Sequence, residues 1–581
     1  MAVRRGVWLV LLLIVCAVLA SAALVAFSWV AFSQTPGMPA RGVLVVRVDG
    51  SLEEVATNPF DQLFQEPVTV RSLSEALRAA KEDPRITGVL LRPVQAPALW
   101  GKIQELSDAL VDFRSSGKPL VAVLEVAGDR EYVLASAASR VILVPPGQLN
   151  LTGLASYQLF LRGLFDKIGA TPDLLHIGDY KTAVNTFTEK GFTPAHREMT
   201  QSLNHDAFEQ LLGVVANARK KSVAEVRALI DQGPMLPDAA LANGLVDDVA
   251  YLDEIGKTSG LGDRFQEIEL PRYLPAARRP RTGLTAPKIA MLYAVGTIVS
   301  GRGGSGPTGT EVGSDKLTEY IRAIRNDDSI KAAVLRIDSP GGSTVASDVI
   351  WRELMLLRAR KPLVVSMSDL AASGGYYIAM PGHVIVAQPG TLTGSIGIFS
   401  GKFVVGGTYN KLGVNIESVS EGRFAQMYSG IRPFTPDERL KIEEQMQAFY
   451  DQFVEKVAES RSSTPEKIDA VAQGRVWTGR QARDIGLVDE LGGLPRALAI
   501  ARQRAGLAPD AAVQVVVYPP KPSVYEAVST MFGGADGGMR ASLAEALLSQ
   551  EDRQALGAIR QPMQQLRRGE SLALLPWVFV R

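Results

Sequence analysis

The hydrophobic pattern changes character along the chain. From about Val7 to Phe32 the residues are almost uninterruptedly apolar, with Arg4 and Arg5 ahead of them. A run of about 25 residues can cross a bilayer core of about 30 Å, whereas the apolar part of a secretory signal is about 7–15 residues long. The length favours a retained anchor, and Ala20-Ser21-Ala22 keeps a cleavage site open. Positive charge before the run, with no comparable stretch after it, predicts a cytoplasmic N-terminus and an exported bulk. Beyond the run the pattern alternates between two periods. Leu73 to Arg92 (LSEALRAAKEDPRITGVLLR) reads as an amphipathic helix, an Asp-containing turn and a short buried strand.

That pattern occurs twice. Leu317 to Arg336 (LTEYIRAIRNDDSIKAAVLR) lies over the first segment without a gap, about 244 positions later. KPLVAVLEV from Lys118 matches KPLVVSMSD from Lys361, and Gly244-Leu245-Val246-Asp247 matches Gly486-Leu487-Val488-Asp489. Strands alternating with helices predict an α/β fold with crossover connections. The chain divides into an anchor and stem (1–40), a first copy (41–272), a linker (273–286), a second copy (287–519) and a C-terminal extension (520–581). The Pro- and Arg-rich stretch from Arg272 to Pro287 is expected to be exposed, and the glycine-rich Gly301 to Gly309 to be a mobile loop. The latter lacks the Lys-Ser/Thr ending of a phosphate loop. The extension is expected to hold a helix around Ala541 to Leu556, and it ends in the apolar LALLPWVFVR.

Composition removes several function classes. The 581 residues carry 62 Lys plus Arg against 61 Asp plus Glu, so no polyanion-binding surface covers the molecule and nucleic acid is not an expected partner. One cysteine, Cys16, allows neither an intrachain disulfide nor a cysteine zinc site. The four histidines (His176, His196, His205, His383) lack ligand spacing, so neither metal nor cofactor is expected.

The duplication supplies an internal control for chemistry. The second copy reads Asp338-Ser339-Pro340-Gly341-Gly342-Ser343 where the first has Pro93-Val94-Gln95-Ala96-Pro97. It reads Ala371-Ala372-Ser373-Gly374-Gly375-Tyr376 where the first has Gly128-Asp129-Arg130-Glu131-Tyr132. Glycines let a substrate carbonyl approach the backbone, and N–H groups of Gly342 and Gly374 beside the Ser373 hydroxyl would form an oxyanion hole. No histidine is marked as base. The best candidate is Lys181 in HIGDYKTAV, at the position where the second copy has Ala425. A lysine serves as base only when neutral, which burial in an apolar cleft promotes.

SPGGS, ASGGYY, TLTGSIGIF (Thr391 to Phe399) and the upstream GDYK together resemble the signal peptide peptidase A family in its long, tandem-domain bacterial form. The resemblance covers roughly residues 40–520. It implies two ClpP/crotonase-like domains, a membrane anchor, a homotetramer and a serine peptidase working through a Ser–Lys dyad. By position, Ser373 is then the nucleophile and Lys181 the general base, with Ser395 orienting the lysine amine. Gly342 and Gly374 donate the oxyanion-hole N–H groups. The implied substrates are hydrophobic peptides left after signal-sequence processing, and the implied location is the extracytoplasmic side of a bacterial inner membrane.

Each of these residues also admits a blander role. Ser373 alone could be a turn, Lys181 a solvated lysine and Ser395 a cap; Gly341 is expected only to shape the turn. His383 is expected to be a solvated loop histidine, and Tyr132 and Tyr376, present in both copies, to be core. The competing functions are an acyl-CoA hydratase or isomerase of the same fold, a silent peptide-binding scaffold, and a quality-control protease of the envelope.

Overall fold

The structure, a computed structural model, describes residues 15–16, 38–50, 52–55, 68–278, 286–306, 309–509, 511–520, 566, 570–575 and 579–580. Nearly all of the expected N-terminal anchor, and the helix expected around Ala541, lie outside them. Among the described residues, no helix is long and apolar enough to cross a membrane.

In the first copy, strands β1 (Gly42–Asp49), β2 (Ile86–Gln95), β3 (Leu120–Ala127) and β4 (Arg140–Leu149) run parallel in the order 4-3-2-1. Short strands at Asp248–Val249 and Glu267–Glu269 extend the two edges. β1 reads GVLVVRVD because both faces are covered: Leu44, Val46 and Val48 join one core, and Val43 and Val45 the other. Helix α1 (Val70–Glu82) buries Leu73, Ala76, Leu77 and Ala80 on one stripe. Thr69 caps it, its hydroxyl accepting from the Ser72 N–H at 3.1 Å. Helix α2 (Trp100–Arg114) follows β2. Strand β5 (Thr171–Ile177) then leaves this sheet, and the long helix α3 (Pro194–Arg219) returns to it.

The second copy repeats the frame. β6 (Lys288–Val295), helix α4 (Ser314–Asn326), β7 (Ile330–Ser339), helix α5 (Thr344–Arg358) and β9 (Leu363–Ala372) reproduce the order, with β7 parallel to both neighbours. Between β7 and α5 the chain inserts β8 (Gly341–Ser343). After β9 come helix α6 (Gly374–Ala379), β10 (Leu392–Gly394), β11 (Ile398–Val404) and helix α7 (Pro436–Ser460).

A third sheet joins the copies. Its order is Ser305–Gly306, Gly309–Gly313, Thr297–Val299, β8, β12 (Leu572–Leu574), β11, β5. First-copy β5 pairs antiparallel with second-copy β11 along its whole length, from Thr171↔Val404 to Ile177↔Ile398. Part of the glycine-rich stretch is not a free loop: Ser305–Gly306 pairs antiparallel with Gly309–Gly313 at this sheet's edge, where backbone pairing needs no side chains. The start of the linker is not exposed: Leu270–Ala277 is a helix with Tyr273 and Leu274 buried, and Tyr273 Oη donates to Asp83 at 3.2 Å.

Candidate active site

Ser373 stands where β9 turns sharply into α6. Its backbone adopts φ +56° and ψ −113°, a sparsely populated conformation for a residue with a Cβ, costing about 1–3 kcal/mol. Two backbone bonds hold it there: the Ser373 N–H donates to the Gly394 carbonyl at 2.7 Å, and its carbonyl accepts from the Tyr377 N–H at 2.9 Å. The turn thus presents the hydroxyl at the C-terminal end of an interior strand, fully buried.

Lys181 arrives from the other copy. β5 ends at Ile177, and the following turn sends the Lys181 side chain under Ser373. Its Nζ lies 2.7 Å from Ser373 Oγ, 3.0 Å from Ser395 Oγ and 3.1 Å from the Ser395 carbonyl oxygen. The residue is fully buried, and burial alone drives its pKa well below the ordinary lysine value. Ser395 itself sits at φ +50°, its N–H donating to the Arg475 carbonyl at 2.7 Å.

Gly341 and Gly342 take φ +101° and +154°, so the Pro-Gly-Gly turn is open only to glycine. A Cβ on Gly342 would overlap the Ile298 carbonyl, and one on Gly374 would lie 3.1 Å from Gly342 N. The Gly342 and Gly374 backbones therefore approach each other beside Ser373. All five residues singled out by sequence converge on one point.

Sequence reasoning missed the groups that hold this point together. The Lys181 turn is clamped backbone to backbone against the second copy. Tyr180 N–H donates to the Gln473 carbonyl at 2.8 Å, and a Cβ on Gly474 (φ +78°) would overlap the Lys181 backbone. The Gly-Arg-Val-Trp run from Gly474 gave no signal, because only the approach of another segment makes that glycine necessary.

A second cross-copy junction lies one strand away. Lys102 Nζ is 2.6 Å from Asp338 Oδ2 and 3.7 Å from Asp369 Oδ2. Asp369 also accepts from the N–H groups of Leu99 (3.0 Å) and Lys102 (2.8 Å), satisfying free donors at the start of α2. Burial would lower the Lys102 pKa, but Asp338, Asp369 and Glu54 outweigh it and raise it. Asp338 begins the Pro-Gly-Gly segment and accepts from the Leu370 N–H at 3.1 Å, so this junction braces β7 against β9 just before the site. Beside it the fully buried Arg336 forks onto Glu54, at 2.9 Å and 2.6 Å, and reaches Glu105 at 2.9 Å.

Tyr132 and Tyr376 are core, each fully buried. His383 is not a solvated loop residue. It is half-buried, and its Nδ1 accepts from the Leu363 N–H at 3.1 Å. Ala425, at the second copy's counterpart of Lys181, is exposed. Among the described residues no group of His, Cys, Asp and Glu could hold a metal ion.

The model of Peptidase family S49 matches residues 112–259 and 355–508, one segment in each copy. The chain is 37% identical over 461 residues to "Serine protease SPPA, chloroplastic" of Arabidopsis thaliana, covering 77% of this chain and 68% of that one. It is 35% identical over 489 residues to "Protease 4" of Salmonella typhi (81% and 77% covered), and 32% over 463 residues to "Protease 4" of Haemophilus influenzae (76% and 73%).

Proposed function

Because the chain belongs to Peptidase family S49 and is a serine peptidase, we propose that it is a membrane-tethered endopeptidase whose Ser–Lys dyad is divided between its two copies. Ser373 is the nucleophile and Lys181 the base. The observation that carries this is the 2.7 Å approach of a buried lysine, with its pKa driven down, to a serine held on a strained turn.

In this mechanism neutral Lys181 takes the Ser373 hydroxyl proton as Oγ attacks the scissile carbonyl. The N–H groups of Gly342 and Gly374 stabilise the developing oxyanion. Lys181, protonated, passes the proton to the leaving amine, and then activates the water that hydrolyses the acyl-enzyme. Ser395 accepts a hydrogen bond from the amine and keeps it aimed at Ser373.

The substrates are apolar peptides left by signal-sequence processing, bound as an added strand on the extracytoplasmic side of a bacterial inner membrane. Support comes from the apolar N-terminal run, which suits an anchor, and from the apolar walls beside Lys181, built by Ala183, Val184 and Phe399. The assembly is a homotetramer, for which the exposed Leu412, Val414, Ile416 and Val419 supply apolar contact surface. A light-scattering mass other than that of four chains would overturn the tetramer.

Covalent labelling with a fluorophosphonate tests the dyad. Label is expected on Ser373 in the wild type and not in a folded Lys181→Ala variant. A folded wild type that takes no label, or takes it elsewhere, overturns the assignment.

A further inference from the structure

Three side chains from three separate segments meet beside the Lys181 turn. Tyr180 precedes Lys181, Glu198 lies in the second turn of α3, and Arg475 stands just before the short strand Val476–Thr478. Tyr180 Oη donates to Glu198 Oε2 at 2.5 Å, and Arg475 Nη1 donates to Glu198 Oε1 at 2.9 Å. The Arg475 guanidinium also lies 4.7 Å from the centre of the Tyr180 ring and 4.5 Å from that of Trp477. Only a planar cation can stack on two rings and still offer N–H groups to a carboxylate. The Tyr180 hydroxyl, and after it Arg475, hold the Glu198 carboxyl below its ordinary range, so the carboxylate stays charged.

Arg475 reaches the site at a second point. Its backbone carbonyl accepts from the N–H of Ser395, and its own N–H donates to the Ala472 carbonyl at 2.8 Å. Its side chain therefore holds the residue before Lys181, while its carbonyl holds the residue whose hydroxyl meets the Lys181 amine. One residue fixes both ends of the lysine.

The duplication shows that the frame does not need this cluster. Thr193 and Thr435 cap α3 and α7 alike, each followed by proline, so Glu198 falls on the exposed Leu440. Tyr180 falls on Phe424, next to Ala425. The helices Pro237–Ala242 and Gly479–Asp484 correspond, which sets Arg475 on Gly233. An antiparallel pairing survives there in both copies, at Leu149↔Met235 and at Leu392↔Thr478. Tyr180, Glu198 and Arg475 are each present once, as Ser373 and Lys181 are, and like them they are divided between the copies.

We infer that Arg475 is a positioning residue of the peptidase, and that with Tyr180 and Glu198 it latches the lysine turn of one copy onto the serine site of the other. The inference rests on the Ser–Lys mechanism proposed above. The latch keeps the Lys181 amine aimed at Ser373 Oγ and keeps the turn closed to water. Burial is the whole cause of the lowered Lys181 pKa, with no charged group contributing. A loosened turn admits water, favours the ammonium and costs the enzyme its base at a higher pH.

The test is kcat, KM and the pH profile of kcat on an apolar peptide, measured on full-length Arg475→Ala, Arg475→Lys and Glu198→Gln with Lys181→Ala beside them. Arg475→Ala is expected to lower kcat about 10–10²-fold with KM within about twofold. Its acid limb should move to higher pH by about one unit. Arg475→Lys keeps the cation without the planar face and should recover part of both changes. Glu198→Gln, at an exposed position, should move the limb the same way by less, and it reads the latch even where Arg475→Ala does not fold. An unshifted limb in folded Arg475→Ala, or in Glu198→Gln when Arg475→Ala does not fold, overturns the latch, as does a loss confined to KM. The dyad still stands if Lys181→Ala is inactive. A folded Lys181→Ala with wild-type kcat overturns the base assignment and the latch with it.

Discussion

In the first copy Tyr132 Oη donates to the Leu245 carbonyl at 2.5 Å; in the second, Tyr376 Oη donates to the Leu487 carbonyl at 2.9 Å. Asp247 accepts from the Val141 N–H, and Asp489 from the Ile385 N–H, both at 2.7 Å. Lys118 Nζ closes the carbonyls of Ala80 and Asp83, as Lys361 Nζ closes those of Ile324 and Asp327. These matched bonds tie helix ends to strands, and each copy needs them to stand. The copies part where the chemistry is. Ser373 faces Asp129 in the alignment, and Lys181 faces the exposed Ala425. Bonds that satisfy buried backbone groups have been kept twice, whereas each reacting group is present once.

Two buried lysines sharpen the contrast. Lys102 has Asp338 and Asp369 around it and is held charged; Lys181 has hydroxyls and a carbonyl, and burial holds it toward the neutral form. The same side chain is a brace in one setting and a base in the other, because a counter-charge is present or absent.

The largest effect that separates the copies comes from removing the nucleophile. Ser373→Ala is expected to lower peptide turnover by about 10⁴-fold or more, and Asp129→Ala, its first-copy counterpart, to leave turnover within about twofold. Comparable losses in both would mean the copies do not divide the roles. Lys181→Ala is expected to cost about 10²–10⁴-fold. The wild-type rate should fall toward acid as Lys181 takes up a proton, the base form being the neutral one. A pH-independent rate between about pH 5 and 9, with chemistry rate-limiting, would count against it.

Gly474→Ala forces a methyl into the Lys181 backbone and is expected to reduce kcat by about 10²-fold while the protein stays folded by circular dichroism. Unchanged kcat would show that the clamp does not position Lys181. Lys102→Met leaves Asp338 and Asp369 buried without their cation and should cost about 3–5 kcal/mol in urea unfolding, far more than Lys118→Met in the first copy. Equal losses would erase the distinction between brace and frame.

The smallest effect belongs to Asp129. Burial raises its carboxyl from 3.8 to about 6, so the folded state binds the proton more tightly than the unfolded one. Its contribution is present below the unfolded value and fades as pH rises toward about 6. Relative to wild type, Asp129→Asn should gain about 1–2 kcal/mol of stability across that window, after allowance for its partial solvent screening. A pH-independent difference would show that Asp129 does not titrate there.

Much of this was legible in the linear chain. The duplicated helix–turn–strand pattern announced both parallel sheets, since strands covered on two faces must read as apolar runs and helices covered on one as stripes. Comparing the copies picked out Ser373, Lys181, Gly342 and Gly374, because a residue lost from one copy of a shared frame is not needed by the frame. Other features had no local signature. Gly474 is ordinary until β5 brings the Lys181 turn against it, and Lys102 is an ordinary helix lysine until Asp338 and Asp369 surround it. The Leu572–Leu574 segment reads only as apolar, and nothing in it names β8 and β11 as its neighbours. Periodicity reports the burial of each residue against its own element, so sequence determined the frame and the residue types at the site. Which lysine is neutral, and which strand fills the cleft, depends on groups far apart in the chain that packing alone brings within a few ångströms. Those the tertiary structure decided.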